Sequence, residues 1–175
     1  MQRIILVYGS IAGMIELALL VLAMQLGSEG GSLGMLLGYL SMLIALSMVF
    51  VGVKRWRDEQ QGGVIRFWPA FWLGLAIALV AAAFYVLGWE GYLWATNYSF
   101  MDQYVAQALD AKRAAGASAA ELAAFKAEMD GFAATYAQPL ARMTMTFMEI
   151  APAALIVPLI SALLLRRPGF MPARV

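Results

Sequence analysis

Polar residues interrupt the apolar text of this chain at only a few points. Between them run four stretches long enough to cross a bilayer as helices. The first is residues 4–27, the second 33–53, the third 69–94 and the fourth 140–165. A span needs about 20 mainly apolar residues to cover roughly 30 Å of hydrocarbon, and each stretch meets that length. The first is not read as a signal peptide. Only Arg3 precedes it, its apolar core is long, and it carries Glu16 near its centre.

Residues 98–138 follow a different rhythm. Phe100, Tyr104, Val105, Ala108 and Leu109 recur at helical spacing. A break at Gly116–Ser118 follows, and Ser118 with Glu121 three residues later forms a capping-box pattern. Beyond it, Leu122, Phe125, Met129, Phe132 and Tyr136 make an apolar stripe, with Lys126, Glu128 and Asp130 outside it. Pro139 can kink this helix or start the fourth span. The pattern predicts an all-α polytopic membrane protein, one integral membrane domain over 1–175, with a helical hairpin between spans three and four. The stripe needs cover. Packing within the hairpin, packing on a second subunit, the outer leaflet and an extracytoplasmic protein partner all satisfy that need.

Composition agrees with the pattern: the chain is 63% hydrophobic and 13% charged, where a soluble domain carries about 25% charge. The charges are distributed unevenly. Arg3, Lys54, Arg55, Arg57, Arg66, Arg166, Arg167 and Arg174 share one side with Asp58 and Glu59. The other side holds Glu29, Glu90, Asp102, Asp110, Glu121, Glu128 and Asp130 against Lys112, Arg113, Lys126 and Arg142. The positive-inside rule then places both termini and the loop after span two in the cytoplasm, as expected for a multi-pass protein of a bacterial inner membrane. Trp68, Trp72, Trp89, Tyr92 and Trp94 fall near the ends of span three, where aromatic side chains anchor at the interface. Lys54, Arg55, Arg57 and Arg66 read as lipid-headgroup or cytoplasmic contacts, each worth on the order of 1 kcal/mol near an anionic surface.

Candidate chemistry is sparse. The chain has no cysteine and no histidine, which removes thiolate nucleophiles, imidazole bases and nearly all zinc sites. No phosphate loop, nucleophile motif or metal set appears, so no cofactor, no metal and no nucleic-acid partner is expected, and no enzymatic activity is assigned. What remains is ionisable groups inside spans. Glu16 lies near the middle of span one and Glu149 in span four, with Arg142 and Thr146 on the face of Glu149. A carboxylate at mid-membrane costs roughly 2.5–3.5 kcal/mol on insertion scales, so it needs a partner or a use. Pro152 and Pro158 each free a backbone carbonyl that must face protein, water or a ligand. Glu16, Glu149, Arg142, Thr146, Tyr39 and Ser41 are therefore candidate ligand- or proton-binding residues, with Tyr8 and Ser47 as further hydrogen-bonders. Gly9 and Gly13 on span one, and Gly30, Gly34 and Gly38 around span two, form small-residue faces suited to close helix packing.

Two functions fit these features. One is a homo-oligomeric accessory, scaffold or sensor subunit, a dimer being favoured, in which the glutamates hydrogen-bond between helices. The other is a proton-coupled transporter or permease for a small cationic or zwitterionic solute, using Glu16 and Glu149. An intramembrane enzyme would need the two carboxyls to converge on a substrate.

The most distinctive text is Met48–Ile77, "MVFVGVKRWRDEQQGGVIRFWPAFWLGLAI". Tyr39, Ser41, Met42, Phe50, Gly52 and Lys54, then Trp56, Arg57, Asp58, Gly62, Gly63, Ile65, Phe67, Ala70, Phe71 and Gly74, with Tyr8–Gly9 upstream, carry the pattern. In these residues the chain resembles a bacterial four-span membrane family known only as domain of unknown function 4199. Trp56 stands where that pattern usually has tyrosine. The resemblance implies the four-span fold and brings no activity with it.

Overall fold

The computed structural model describes residues 1–25 and 31–172. Gly27, Glu29, Gly30 and Arg174, used above to bound span one, extend a glycine face and count charge, lie outside them. Six helices follow one another: α1 (Gln2–Gln25), α2 (Gly31–Gln60), α3 (Phe67–Ala95), α4 (Phe100–Ala114), α5 (Ala119–Tyr136) and α6 (Pro139–Leu165). Four of them, α1, α2, α3 and α6, are long and apolar enough to cross a membrane, and α4 and α5 form the hairpin between the third and fourth spans.

One helix runs past its expected span, and the extension has a cause. Helix α2 does not stop at Val53. It runs on to Gln60 because Lys54 pairs with Asp58 and Arg55 with Glu59 one turn later, which supports the helix through its charged end. Gly62 and Gly63, both at positive φ, then turn the chain, a conformation that costs glycine little. Pro139 starts α6 at a position where a missing N–H costs nothing, while Pro152 and Pro158 sit inside the helix.

The chain divides into two compact units. The first comprises residues 1–87 and 147–175, and the second residues 88–146. In the first unit α3 is the most buried of the four spans. Its neighbours reach it over glycine. A Cβ at Gly9 would fall 2.5 Å from Val80 Cβ, and one at Gly13 would fall 2.4 Å from Phe84 Cβ, so no larger residue fits where α1 crosses α3. Gly74 of α3 lies under Pro158 of α6 and beside Val49 of α2, and Gly52 of α2 lies against Tyr8 and Ile77. The core between these helices contains Met42, Leu46, Val49, Leu73, Ile77 and Ile150. Gly9 and Gly13 both lie at this crossing. Gly34 is half-buried, whereas nothing among the described residues stands within 4 Å of a Cβ at Gly38, so no close helix contact within the chain uses it.

In the second unit, Ser118 caps α5 with both arms of the capping box, and α4 packs on α5. Leu122, Phe125 and Met129 are half-buried and Phe132 remains exposed. Lys112 of α4 covers the Phe125 ring at 4.4 Å. The stripe is therefore partly covered within the hairpin itself.

Candidate functional site: a polar layer among the spans

In the first unit each of the four spans contributes one polar side chain at similar depth: Glu16 from α1, Ser41 from α2, Tyr85 from α3 and Glu149 from α6. At about 1.5 Å per residue, each lies roughly 4–7 Å from its helix midpoint, displaced toward the same side. Glu16 is 2% exposed. Its Oε1 stands 3.3 Å from Ser41 Oγ, while its Oε2 is buried and has no hydrogen-bond partner among the described residues. Ser41 has a single hydroxyl proton, and the carbonyl of Gly38 is the closer acceptor at 2.7 Å. The Ser41 hydroxyl thus divides its one proton between the Gly38 carbonyl and Glu16 Oε1. Glu149 accepts a hydrogen bond of 3.1 Å from the Tyr85 hydroxyl, and Glu149 is otherwise exposed on the surface of the helix. The two carboxyl groups lie within electrostatic range of one another.

Tyr85 was absent from the sequence candidates. Its signal was a buried tyrosine hydroxyl facing a helix that carries a glutamate, and no spacing rule links Tyr85 to Glu149, 64 positions later. Two further candidates do not join the layer by any contact seen. Tyr39 is 42% exposed, and Ser47 donates to the carbonyl of Ile44 in its own helix. Tyr8 is buried and its hydroxyl accepts from Arg55.

Arg142 and Thr146 belong to the second unit, where their chemistry is already engaged. The Arg142 guanidinium, 5% exposed, grips Glu90 through Nε at 2.7 Å and Nη2 at 2.6 Å, and donates from Nη1 to the Tyr136 carbonyl at 3.2 Å. The rings of Tyr98 and Tyr136 flank it at 5.1 and 5.8 Å. Thr146 donates to the Arg142 carbonyl one turn back, the usual resting place for a threonine hydroxyl in a helix. Trp89 is buried beside this pair: its Nε1–H donates to the Tyr136 hydroxyl at 2.6 Å and its ring meets Phe100 edge-on. The turn that presents Tyr98 is strained. Asn97 and Tyr98 both adopt positive φ, 52° and 56°, at about 1–3 kcal/mol each for residues of this size.

The basic cluster also separates into roles. Arg66 is exposed, and Lys54 and Arg55 hold the i,i+4 partners already described. Arg57, expected at the headgroups, is wholly buried. Its guanidinium donates to the carbonyls of Phe170 and Met171, at 2.8 and 2.5 Å, and to Asp58. Phe170 in turn lies edge-on to Phe50. The residues after α6 are thereby fastened to the end of α2. The reason is that two backbone carbonyls lying outside any helix need donors, and a planar guanidinium supplies both.

A family model described as a protein of unknown function, DUF4199, matches residues 7–167, nearly the whole chain. The chain belongs to that family. No curated protein and no solved structure matches it. For this DUF4199 protein the match and the four spans agree on a small multi-pass membrane protein, and any activity has to be argued from its own side chains.

Proposed function

We propose that the protein acts as a homo-oligomeric accessory, scaffold or sensor subunit of the membrane, with a second copy covering the α6 face that carries Glu149. The observation behind this reading is that Glu149 is exposed at membrane depth with one hydrogen bond, from Tyr85. A carboxyl left facing lipid costs roughly 2.5–3.5 kcal/mol, and a second helix offering a polar partner removes most of that cost. A neutral carboxyl both donates and accepts, so two copies of the same face are self-complementary across a two-fold axis. Exposed Met148, Leu155 and Ile156 flank Glu149 on that face. In this reading the basic side faces the cytoplasm of a bacterial cell and the hairpin faces out, as the charge asymmetry supports.

The chain has no cysteine, so single-cysteine cross-linking is clean. Met148→Cys and Leu155→Cys should form disulfide dimers in native membranes on mild oxidation. Met14→Cys, exposed on α1, should not. A monomer in both detergent and nanodiscs, with no cross-link from α6, rejects the assembly.

The second reading, a proton-coupled carrier of a small cationic or zwitterionic solute, is favoured by a different observation: the buried, unpartnered Oε2 of Glu16 within electrostatic range of Glu149. Such an oxygen is a ready place for a proton or cation in transit. In liposomes, Glu16→Gln would then assemble normally and abolish solute-driven proton flux, because an amide does not titrate. Flux that survives Glu16→Gln excludes this role for Glu16.

A further inference from the structure

The second unit contains a cavity of about 360 Å³ that none of the polar-layer residues lines. Its walls include Leu93, Met101 and the rings of Tyr98 and Tyr136, and its charged members are Arg142 and Asp102. We propose that this cavity binds a small zwitterion with an apolar body, the size of a free amino acid with an aliphatic side chain. The proposal does not rest on either reading above.

The charge pattern selects the ligand. Arg142 spends three N–H groups on Glu90 and the Tyr136 carbonyl, which leaves one on each terminal nitrogen for an acceptor oxygen. Its guanidinium is fixed by Glu90 and the two rings, so it offers those donors without first being ordered. Asp102, exposed in the first turn of α4, supplies a carboxylate to the same cavity. A simple anion would meet Asp102, and a simple cation would leave the spare guanidinium N–H groups without an acceptor. A molecule carrying one charge of each sign meets both favourably, while its hydrocarbon lies against Leu93, Met101 and the tyrosines. The volume is near the lower end of the roughly 300–1,000 Å³ usual for small-molecule sites. The strained Asn97–Tyr98 turn adds an independent pointer, because consecutive positive-φ residues at a cavity wall are a conformation kept for positioning a side chain. Here that side chain is the Tyr98 ring over Arg142.

The full-length protein in nanodiscs should be titrated with L-leucine, with N-acetyl-L-leucine, which lacks the cation, and with isoamylamine, which lacks the carboxylate. Saturation-transfer NMR and calorimetry give the readout. Leucine should bind at least about tenfold more tightly than either analogue. Asp102→Asn should weaken leucine by about tenfold and should not weaken N-acetyl-leucine, which loses a like charge. Tyr98→Gly, which relieves the positive φ while deleting the ring, should also weaken leucine. Absence of leucine binding at millimolar concentration overturns the proposal. So does equal binding of all three probes, or leucine binding indifferent to Asp102→Asn.

Discussion

Two regions of this protein contain acidic side chains in or beside spans, and they treat them in opposite ways. In residues 88–146, Glu90 meets a nearly buried arginine through two short bonds, and aromatic rings close around the pair. The Arg142 guanidinium there has partners on three nitrogens. In the four-span unit, Glu16 and Glu149 receive one hydroxyl contact each, at 3.3 and 3.1 Å, and one oxygen of Glu16 has no partner among the described residues. A charge pair held so completely is suited to fixing geometry. A neutral-type contact with spare capacity is suited to exchanging a proton or accepting a new neighbour. The two regions therefore separate structural and functional use of the same residue type, with Glu90 on the structural side.

The contrast is broken most severely at the ion pair. Glu90→Ala should cost about 3–5 kcal/mol, because it leaves a guanidinium buried without its counter-charge. Thermal unfolding in nanodiscs measures the loss, and the double variant Glu90→Leu with Arg142→Leu should recover much of it. A Glu90→Ala protein as stable as the parent would put this pair in the same class as the polar layer. Next in size, Gly13→Val should destabilise by about 1–3 kcal/mol, since even a Cβ would strike Phe84 and α1 must shift away from α3. Because Glu16 is carried on the same helix, solvent exchange at α1 should rise with that shift. Glu16→Leu should cost about 0.6–2 kcal/mol, and Glu16→Gln close to nothing, as measured by the same unfolding scan. A Glu16→Gln loss as large as that of Glu90→Ala would mean that Glu16 is an ionised partner after all.

The smallest effect lies at the hairpin. Ser118→Ala should loosen α5 by about 1 kcal/mol through the lost cap. Hydrogen bonds from the Ser118 backbone N–H and hydroxyl hold the Glu121 carboxyl below its ordinary range. A carboxyl with a lowered value in the folded state stabilises it above the unfolded value of about 4.3 and loses that contribution as pH falls through the lower folded value. Amide exchange at the start of α5 should therefore quicken as the solution is acidified below about pH 4, and Glu121→Gln should remove the pH dependence.

The spans, the hairpin and its cap were legible because each rests on local text. Apolar run length, helical spacing and Ser118 with Glu121 need no knowledge of what lies opposite. The close crossing at Gly9 and Gly13 was legible as a face, though not as a face turned to Val80 and Phe84. The side-chain pairings were less legible. Arg142 and Glu149 share a helical face, which made them look like members of one site, but Arg142 is paired with Glu90, 52 positions earlier. Arg57 stands among basic residues that a membrane surface would attract, and its burial depends on carbonyls more than a hundred positions later. Such pairings follow from which helices meet, and the periodicity of a single segment does not encode that.

The Arg57 contact also sets an order of events during synthesis. Its two carbonyl partners are made 113 and 114 residues after it. At roughly 5–20 residues per second, on the order of ten seconds pass between them. Throughout that interval the guanidinium has Asp58 and water, and hydrocarbon is closed to it. Until those carbonyls are made, the end of α2 carries a guanidinium that needs water, and Phe170 and Met171 remove that need. A charge that the early chain must keep in water becomes, when residues 170 and 171 arrive, a clasp between the end of α2 and the segment after α6.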